Sequence, residues 1–539
     1  MGRIIDALNA LQSERGHLDD ASLRALGEEL KVPLYRLEEL VSFYPHFRKE
    51  PGKRVHLSVC RDVACRMAAD ASHREALAAR VAGRDDVELS EVSCLGRCDI
   101  APAGAIGDCP VSVADLDRLE AGLDAPPAVE SAQTPARTWR CDPYTTGEER
   151  YGTLKGLIEG GLDADAVVDT LKNAGLRGMG GAGFPTGVKW GMVRGQAEPT
   201  KYVVCNADES EPGTFKDRVA LADLSHLVIE GMILAGLVVG AEEGIVFIRH
   251  EYMPEKLRLD EALKDARARG ALGDDVLGSG RRFDIRVSVS PGGYILGEET
   301  ALLECLEDKR GEPRNKPPYP GQHGLWGKPT LINNVETFAM VPTILKDGAE
   351  AWKALGKGDS SGLKLIALSG DVAKPDVYEV PMGTTLRELI ALGGGVAGEK
   401  ELLAIAPGGA SSNFVAADKA DLPLDFDALA KAGTMLGSGA VLVVAEGRDL
   451  VDLSSNLVAF FRNESCGKCV PCRVGSEKAV VILEEALAGR GEKRHLEVLS
   501  ELRDTLEQTS ICGLGQVALN PFTSVLSAFE DDVRGRFSG

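Results

Sequence analysis

The chain has 539 residues, 44% apolar and 27% charged, which is too long for one hydrophobic core and fits several domains of roughly 100–200 residues. A formal net charge of −21 disfavours nucleic acid or an anionic membrane as partner, because phosphate surfaces attract basic patches. No run of about 18 apolar residues marks a membrane span, and the opening MGRIIDALNALQSERGHLDD lacks the apolar core and cleavage site of a signal peptide. The expected location is cytoplasmic, where the 12 cysteines are first read as metal or redox groups.

Residues 1–48 read as short helices: Leu23, Leu26 and Leu30 recur at helical spacing, and Asp19 or Asp20 is placed to cap them. VHLSVC alternates as a strand ending at Cys60, residues 66–81 look helical, and VELSEVSC is a second strand ending at Cys94. Residues 49–123 thus form a small α/β domain with cysteines at its strand ends. The stretch 124–140, rich in Pro, Ala and Ser, reads as a linker. From 141 to 350 a helical stretch (150–176) runs into the glycine cluster RGMGGAGFPTG, and strands such as KYVVCNAD and GIVFIRHEY alternate with helices, the pattern of an α/β domain. Residues 351–447 hold short strands around one helix, with turns at GGG and PGGA. Residues 448–539 are helical again, with Leu499, Leu502 and Leu506 as an apolar stripe. No internal repeat or low-complexity tract interrupts this order.

The sharpest signal is ESCGKCVPCRVG, which sets Cys466, Cys469 and Cys472 at three-residue steps, with Cys512 following in TSICGLGQ. Four thiolates suit a [4Fe–4S] cluster or zinc. A dense triplet plus one remote thiol favours the cluster over zinc, which usually takes two separated pairs. Unliganded core thiols are the bland reading. Cys60, Cys65, Cys94 and Cys98 form two pairs at strand ends, for which a [2Fe–2S] rhomb is one reading and zinc its rival. Cys109, Cys141, Cys205 and Cys305 show no ligand spacing.

Gly178, Gly180 and Gly183 match a dinucleotide fingerprint, but a helix and not a strand precedes them, which argues for a phosphate loop on a non-Rossmann fold. Arg177 and Lys189 are candidates to add positive charge there. A tight helix-to-strand turn is the alternative. Asn206, Asp208, Glu209 and Glu211 in CNADESEPGTFKDR offer acceptors for ribose hydroxyls or ring N–H groups, or form a solvated acidic turn. Glu298 and Glu299 sit at a helix start, where the helix dipole favours acids anyway. Lys316, Tyr319, Asn333 and Asn334 lie in RNKPPYPGQHGLWGKPTLINNVETF, and Tyr319 either stacks on a flat ring or packs in the core.

Together RGMGGAGFPTGVKW, CNADESEPGTFKDR, GGYILGEETALLECLE, KPPYP, LINNVETF, ESCGKCVPCR and SICGLGQ resemble the NADH-binding flavoprotein subunit of respiratory complex I. VSFYPHFRKEPGKRVHLSVCRDVAC with CLGRCDIAPA resembles that complex's small thioredoxin-like [2Fe–2S] subunit. The two resemblances span nearly the whole chain. They imply a multidomain α/β fold: N-terminal helices, a thioredoxin-like [2Fe–2S] domain, an FMN- and NADH-binding α/β domain, a ubiquitin-like β-grasp domain and a helical bundle with [4Fe–4S]. They imply FMN near Gly178, Gly180 and Lys189, with Asn206, Asp208, Glu209, Tyr294, Gly297, Asn333 and Asn334 completing its site and Glu298 beside it. NAD(H) would stack over the flavin, its adenine near Phe184 and Tyr319, its nicotinamide or riboses near Glu211, Glu299 and Lys316. All eight motif cysteines would be cluster ligands. Three departures stand out: KPPY where the family often has KPPF, Met192 where some members carry a second Phe, and only 28 residues between Cys65 and Cys94.

The resemblance implies hydride transfer between NAD(H) and FMN with no essential acid–base residue, since positioning and electrostatics are the protein's share. Fusion of the two parts resembles the β subunit of soluble NAD-dependent formate dehydrogenases and the diaphorase subunit of NAD-reducing hydrogenases. No segment carries molybdenum, tungsten or nickel chemistry, so a hetero-oligomeric partner must hold it; a formate dehydrogenase α subunit is the first expectation, a hydrogenase or complex I the next. A reading of another class is a zinc-stabilised scaffold without flavin, which the glycine, Asn–Ala–Asp and cysteine motifs oppose. A bifurcating flavoenzyme would normally need more clusters than eight cysteines hold.

Overall fold

The computed structural model describes residues 4–133 and 135–538. The expected segments 1–48, 124–140 and 448–539 are therefore seen without Met1–Arg3, Thr134 and Gly539, which lie outside the described residues. Three sheets and a terminal helical bundle are strung in chain order.

Helices Ile4–Arg15, Asp20–Leu30 and Leu34–Phe43 open the chain. Asp19 caps the second, accepting from Ser22 N at 2.7 Å, and Leu23 and Leu26 are buried as their spacing requires. These helices lie against the later α/β unit: Tyr44 Oη donates to Lys309 O at 2.6 Å and Asn9 Nδ2 to Val289 O at 3.2 Å. The first sheet contains β1 (Val55–Cys60), β2 (Val87–Val92), β3 (Ala103–Ile106) and β4 (Cys109–Ser112) in the order β2-β1-β3-β4, with β1 and β2 parallel. The helical stretch expected at 66–81 is two helices, Val63–Ala68 and Ala71–Ala82, the second restarted by Asp70, which accepts from His73 N at 2.8 Å.

The second sheet is wholly parallel: β5 (Tyr202–Ala207), β6 (Glu243–Arg249), β7 (Asp284–Ser290) and β8 (Thr330–Asn334) in the order β7-β6-β5-β8. The chain runs outward from β5 to β7 and returns to place β8 on the other side of β5. That reversal opens a crevice at the carboxyl ends of β5 and β8, the usual ligand position in open α/β sheets. The apolar helix Ser225–Val239 is buried along its whole length, as helices covering a parallel sheet are. Among the described residues no single helix is long and apolar enough to cross a membrane; Lys216–Asp223 and Ser225–Val239 together have the length and composition, but they meet at 92°.

The third sheet has the order β10-β9-β13-β11-β12, from β9 (Leu363–Gly370), β10 (Asp376–Pro381), β11 (Leu402–Ala406), β12 (Val415–Ala416) and β13 (Ala440–Ala445). Two helices accompany it, Leu386–Leu392 and Phe426–Lys431, where the sequence suggests one. The second is only six residues long and is started by the Asp425 cap, too short for apolar periodicity to reveal. The bundle is formed by Leu450–Asn463, Val470–Leu487, Lys493–Thr509 and shorter helices to Arg536. Leu499 and Leu506 of the expected stripe are buried.

Candidate active site

The glycine cluster is a tight loop between helix Ala164–Asn173 and helix Thr186–Arg194. It is closed at its base by Gly178 N to Phe184 O, 2.9 Å, and Thr186 N to Leu176 O, 2.8 Å. A helix leads into it, as the sequence implies, so the strand–loop–helix context of the Rossmann fingerprint is missing although the sheet order is of the doubly wound kind. Met179 N donates to Thr337 Oγ1 at 2.9 Å, which lays the loop on the start of helix Val335–Asp347. There Gly180 allows a close approach: a Cβ would stand 3.0 Å from Asn334 Cβ, tighter than an ordinary contact. Arg177 is not free to add charge, because it binds Gly183 O at 2.7 Å and Asp427 at 2.8 Å. Lys189 reaches under the loop to Ile332 O at 3.1 Å, and burial holds its pKa below the ordinary value.

The strand-end residues converge at the crevice. Cys205 pairs with Asn333 and Asn206 with Asn334 across β5 and β8. Asn206 Nδ2 donates to Gly297 O at 2.8 Å, Asn333 Oδ1 accepts from Trp190 Nε1 at 3.3 Å, and Asn334 caps the following helix through Glu336 N at 3.0 Å. Asp208 is buried; its Oδ1 accepts from Ser210 Oγ at 2.5 Å, whereas its Oδ2 makes no well-formed hydrogen bond among the described residues, the Ser290 hydroxyl being its nearest help. Burial pushes this carboxyl up to about 6. An orphaned buried acceptor beside a glycine loop fits a ligand that brings an N–H or O–H of its own.

Other predicted residues are tied up elsewhere. Glu209 caps helix Lys216–Asp223, accepting from Asp217 N at 2.9 and 3.0 Å and Arg218 N at 3.1 Å, and it accepts from Tyr252 Oη at 3.1 Å; burial pushes it up to about 8. Glu211 reaches to the third sheet's loops, accepting from Ser411 N at 2.8 Å and from the Ser411 hydroxyl. Glu298 caps helix Glu299–Leu306 and, with Glu299, holds Lys316 at 2.9 and 3.2 Å. Burial opposes the Lys316 charge, but the two carboxylates outweigh it and raise its pKa. Phe184, Met192 and Tyr319 are exposed apolar groups here, at 43%, 48% and 54%, so Met192 offers a thioether on an open face.

Sequence reasoning missed a buried ion network beneath the loop. Lys216 binds Asp217 at 2.6 Å and Glu336 at 2.9 Å, and Lys364 from β9 binds Glu336 at 2.5 Å. Asn334 joins it through Asp217 Oδ2 at 2.5 Å. Burial pulls Lys364 down to about 8. No local motif marks residues so far apart in the chain.

The cysteine sets assemble as two nests. Cys94 and Cys98 Sγ are 3.7 Å apart, all four thiols are buried, and Cys65 and Cys94 accept from Ala103 N and Gly96 N at 3.3 and 3.4 Å. Hydrogen bonds from the Cys60 and Cys98 thiols hold Cys94 well below the usual thiol range, while Cys60 and Cys98 are driven up. Four buried thiols gathered at one point suit ligation by a soft cationic centre. Cys466, Cys469, Cys472 and Cys512 line one small cavity. Its wall is completed by Ile295 and Pro313 from the α/β unit. Tyr294 stands at the same junction, its ring 5.0 Å from Phe460 and its N–H on Glu464 at 2.8 Å.

Four family models match the chain: a thioredoxin-like [2Fe–2S] ferredoxin over 1–125, the Nuo51 FMN-binding domain over 171–343, the SLBB domain over 365–412 and the NADH-ubiquinone oxidoreductase-F iron–sulfur binding region over 452–536. The NAD-reducing hydrogenase HoxS subunit alpha of Cupriavidus necator is 35% identical, over 98% of this chain and 91% of that one. The NADP-reducing hydrogenase subunit HndC of Solidesulfovibrio fructosivorans is 43% identical over 68% of this chain and 75% of its own. A subunit of the NADH-quinone oxidoreductase of Rhizobium meliloti is 44% identical over 70% of this chain and 90% of its own. Among solved structures, an NAD+-reducing [NiFe]-hydrogenase in the H2-reduced state superposes with a TM-score of 0.87 at 32% identity, covering 100% of this chain and 93% of that one.

Proposed function

The chain belongs to the family of NADH-binding flavin and iron–sulfur subunits shared by NADH-quinone oxidoreductases and NAD-reducing hydrogenases, and from that premise we propose that it is the diaphorase subunit of a hetero-oligomeric redox enzyme. The matched models give this chain an FMN-binding domain, a [2Fe–2S] domain and a [4Fe–4S] region, and its relatives are named as subunits of NADH-, NAD- and NADP-linked oxidoreductases. One observation carries the reading: a single loop, Tyr294–Gly297, gives Gly297 O to Asn206 at the crevice and Ile295 to the wall of the four-cysteine cavity.

In this reading Gly178, Gly180, Lys189, Asn206, Asp208, Tyr294, Gly297, Asn333 and Asn334 hold FMN, with Glu209 bracing the loop behind it. Phe184 and Tyr319 flank the adenine of NAD(H), and Glu298, Glu299 and Lys316 face its polar part, with Glu211 at the edge. FMN, when bound, exchanges a hydride with nicotinamide and single electrons with the clusters. The residues orient the two rings and exclude water. Cys60, Cys65, Cys94 and Cys98 ligate [2Fe–2S]; Cys466, Cys469, Cys472 and Cys512 ligate [4Fe–4S]. A cytoplasmic location agrees with 12 cysteines, all of them free.

The partner in this proposal is a metal-containing catalytic subunit. The fused layout supports the β subunit of a molybdenum or tungsten formate dehydrogenase; similarity along the whole chain to the NAD-reducing hydrogenase subunit favours hydrogenase as the second reading. The test is anaerobic purification with flavin and iron assays and a visible spectrum. Brown protein with about one FMN and about six iron atoms, bleached by NADH, is expected. Colourless protein with zinc, even after reconstitution, would leave only a scaffold. Formate or hydrogen oxidation with each candidate partner then separates the two readings.

A further inference from the structure

One side chain joins segments that the proposed function assigns to three redox groups. Glu464 follows helix Leu450–Asn463 and stands two residues before Cys466. Its Oε1 accepts from Ser93 Oγ at 2.5 Å, next to Cys94. Its Oε2 accepts from Tyr294 N at 2.8 Å, at the head of the loop that carries Gly297. Between Glu464 and Cys466 lies only Ser465, whose hydroxyl is 3.2 Å from Cys472 Sγ and accepts from Gly467 N at 3.3 Å. The Tyr294 ring rests on Phe460 and Phe461 of the same helix, at 5.0 and 6.2 Å, so the loop cannot shift without moving the bundle. Neither bond of Glu464 belongs to a helix or a strand ladder. Both bind separate domains to one carboxylate, the stronger class of hydrogen bond.

We propose that Glu464 is the positioning residue that fixes the [2Fe–2S] loop, the flavin loop and the [4Fe–4S] loop in one register for electron exchange. The proposal rests on the cofactor reading above. In that exchange NADH is oxidised to NAD+; the two electrons of its hydride reduce the two clusters by one each, and the proton passes to solvent. The spacing of the three loops then governs the rate, and a displacement near 1 Å in a positioned pair costs up to about 100-fold.

The experiment compares wild type, Glu464→Gln, Ser93→Ala and Ser93→Thr as complete chains. Each is mixed with NADH and freeze-quenched. Electron paramagnetic resonance follows each cluster, absorbance follows the flavin, and iron, flavin and melting temperature are measured alongside. Glutamine keeps the shape but supplies one acceptor where two are used. Electron arrival at [2Fe–2S] is expected to slow about tenfold or more in Glu464→Gln and Ser93→Ala, with iron and flavin retained. Arrival at [4Fe–4S] slows only in Glu464→Gln, and Ser93→Thr restores the wild-type pattern. A bond with a purely structural role would lower the melting temperature and leave the ratio of the two arrival rates unchanged; that result overturns the proposal. If Glu464→Gln does not fold, the ratio in Ser93→Ala decides alone. Wild-type chain lacking flavin or iron sinks the cofactor reading itself, before any variant is compared.

Discussion

Asp208 combines three properties that are seldom found together: it is buried, its pKa is pushed up to about 6, and one of its oxygens makes no well-formed hydrogen bond, the Ser290 hydroxyl helping only to lower the pKa slightly. If a flavin N–H or ribitol O–H supplies the missing donor, binding needs the ionised form. The carboxyl is protonated below about pH 6 in the free protein, so FMN affinity is expected to be greatest above pH 6 and to fall about tenfold for each pH unit below it. Asp208→Asn should weaken binding by tenfold or more and flatten that profile, as read by flavin fluorescence titration. At the other nest, Cys512→Ser is expected to lower iron from about six to about two per chain while flavin stays bound, because the [2Fe–2S] thiols are separate. The cysteine triplet was distinctive as a candidate in the sequence, whereas the Asn–Ala–Asp turn could equally have been a solvated acidic turn and was singled out by the family resemblance. That Glu209 caps a helix was not legible, since the sequence does not show whether an acid faces a ligand or the backbone amides eight residues on.

At the scale of elements, the glycine loop depends on what lies behind it. Gly180→Ala brings a Cβ to 3.0 Å from Asn334, which also caps a helix and binds the buried ion network and so has little room to yield; the loop is expected to shift by a few tenths of an ångström. FMN affinity is expected to drop at least tenfold with the fold intact, checked by equilibrium dialysis and circular dichroism. The network itself ties β9 to this loop. Lys364 is 0% exposed and donates to Glu336, Leu365 O at 3.0 Å and Ser438 O at 3.0 Å. Lys364→Met removes one of the two cations facing buried Glu336 and is expected to cost about 3 kcal/mol, read as a lower melting temperature and faster flavin release. The alternation of strands and helices announced the α/β unit, and the preceding helix ruled out the usual fingerprint. The network stayed hidden because Lys216, Glu336 and Lys364 read as surface charges until three segments fold together.

At the scale of the whole molecule, the first sheet's domain is held to the flavin unit by buried charge. Arg97 pairs bidentately with Glu255 at 2.7 and 2.8 Å, Arg218 with Asp99 at 2.7 Å, and Arg249 bonds Cys94 O and Glu209 O, both at 2.6 Å. Arg97→Met strands Glu255 in a dry interface and should cost about 3–5 kcal/mol of docking. The expected sign is proteolytic cutting between residues 125 and 140, where the described residues have almost no regular structure. Domain order was readable from motif order, but the interfaces were not, because their partners lie as much as 395 positions apart, as Arg61 and Asn456 do. The wall of the four-cysteine cavity has a consequence for biogenesis. Ile295 and Pro313 are translated long before Cys466, and Cys512 after all three. The receptacle therefore comes into being only when newly made helices fold back onto an already folded flavin unit. The four-iron cluster would then be the last to gain its full ligand set, because Cys512 is translated long after the four N-terminal thiols.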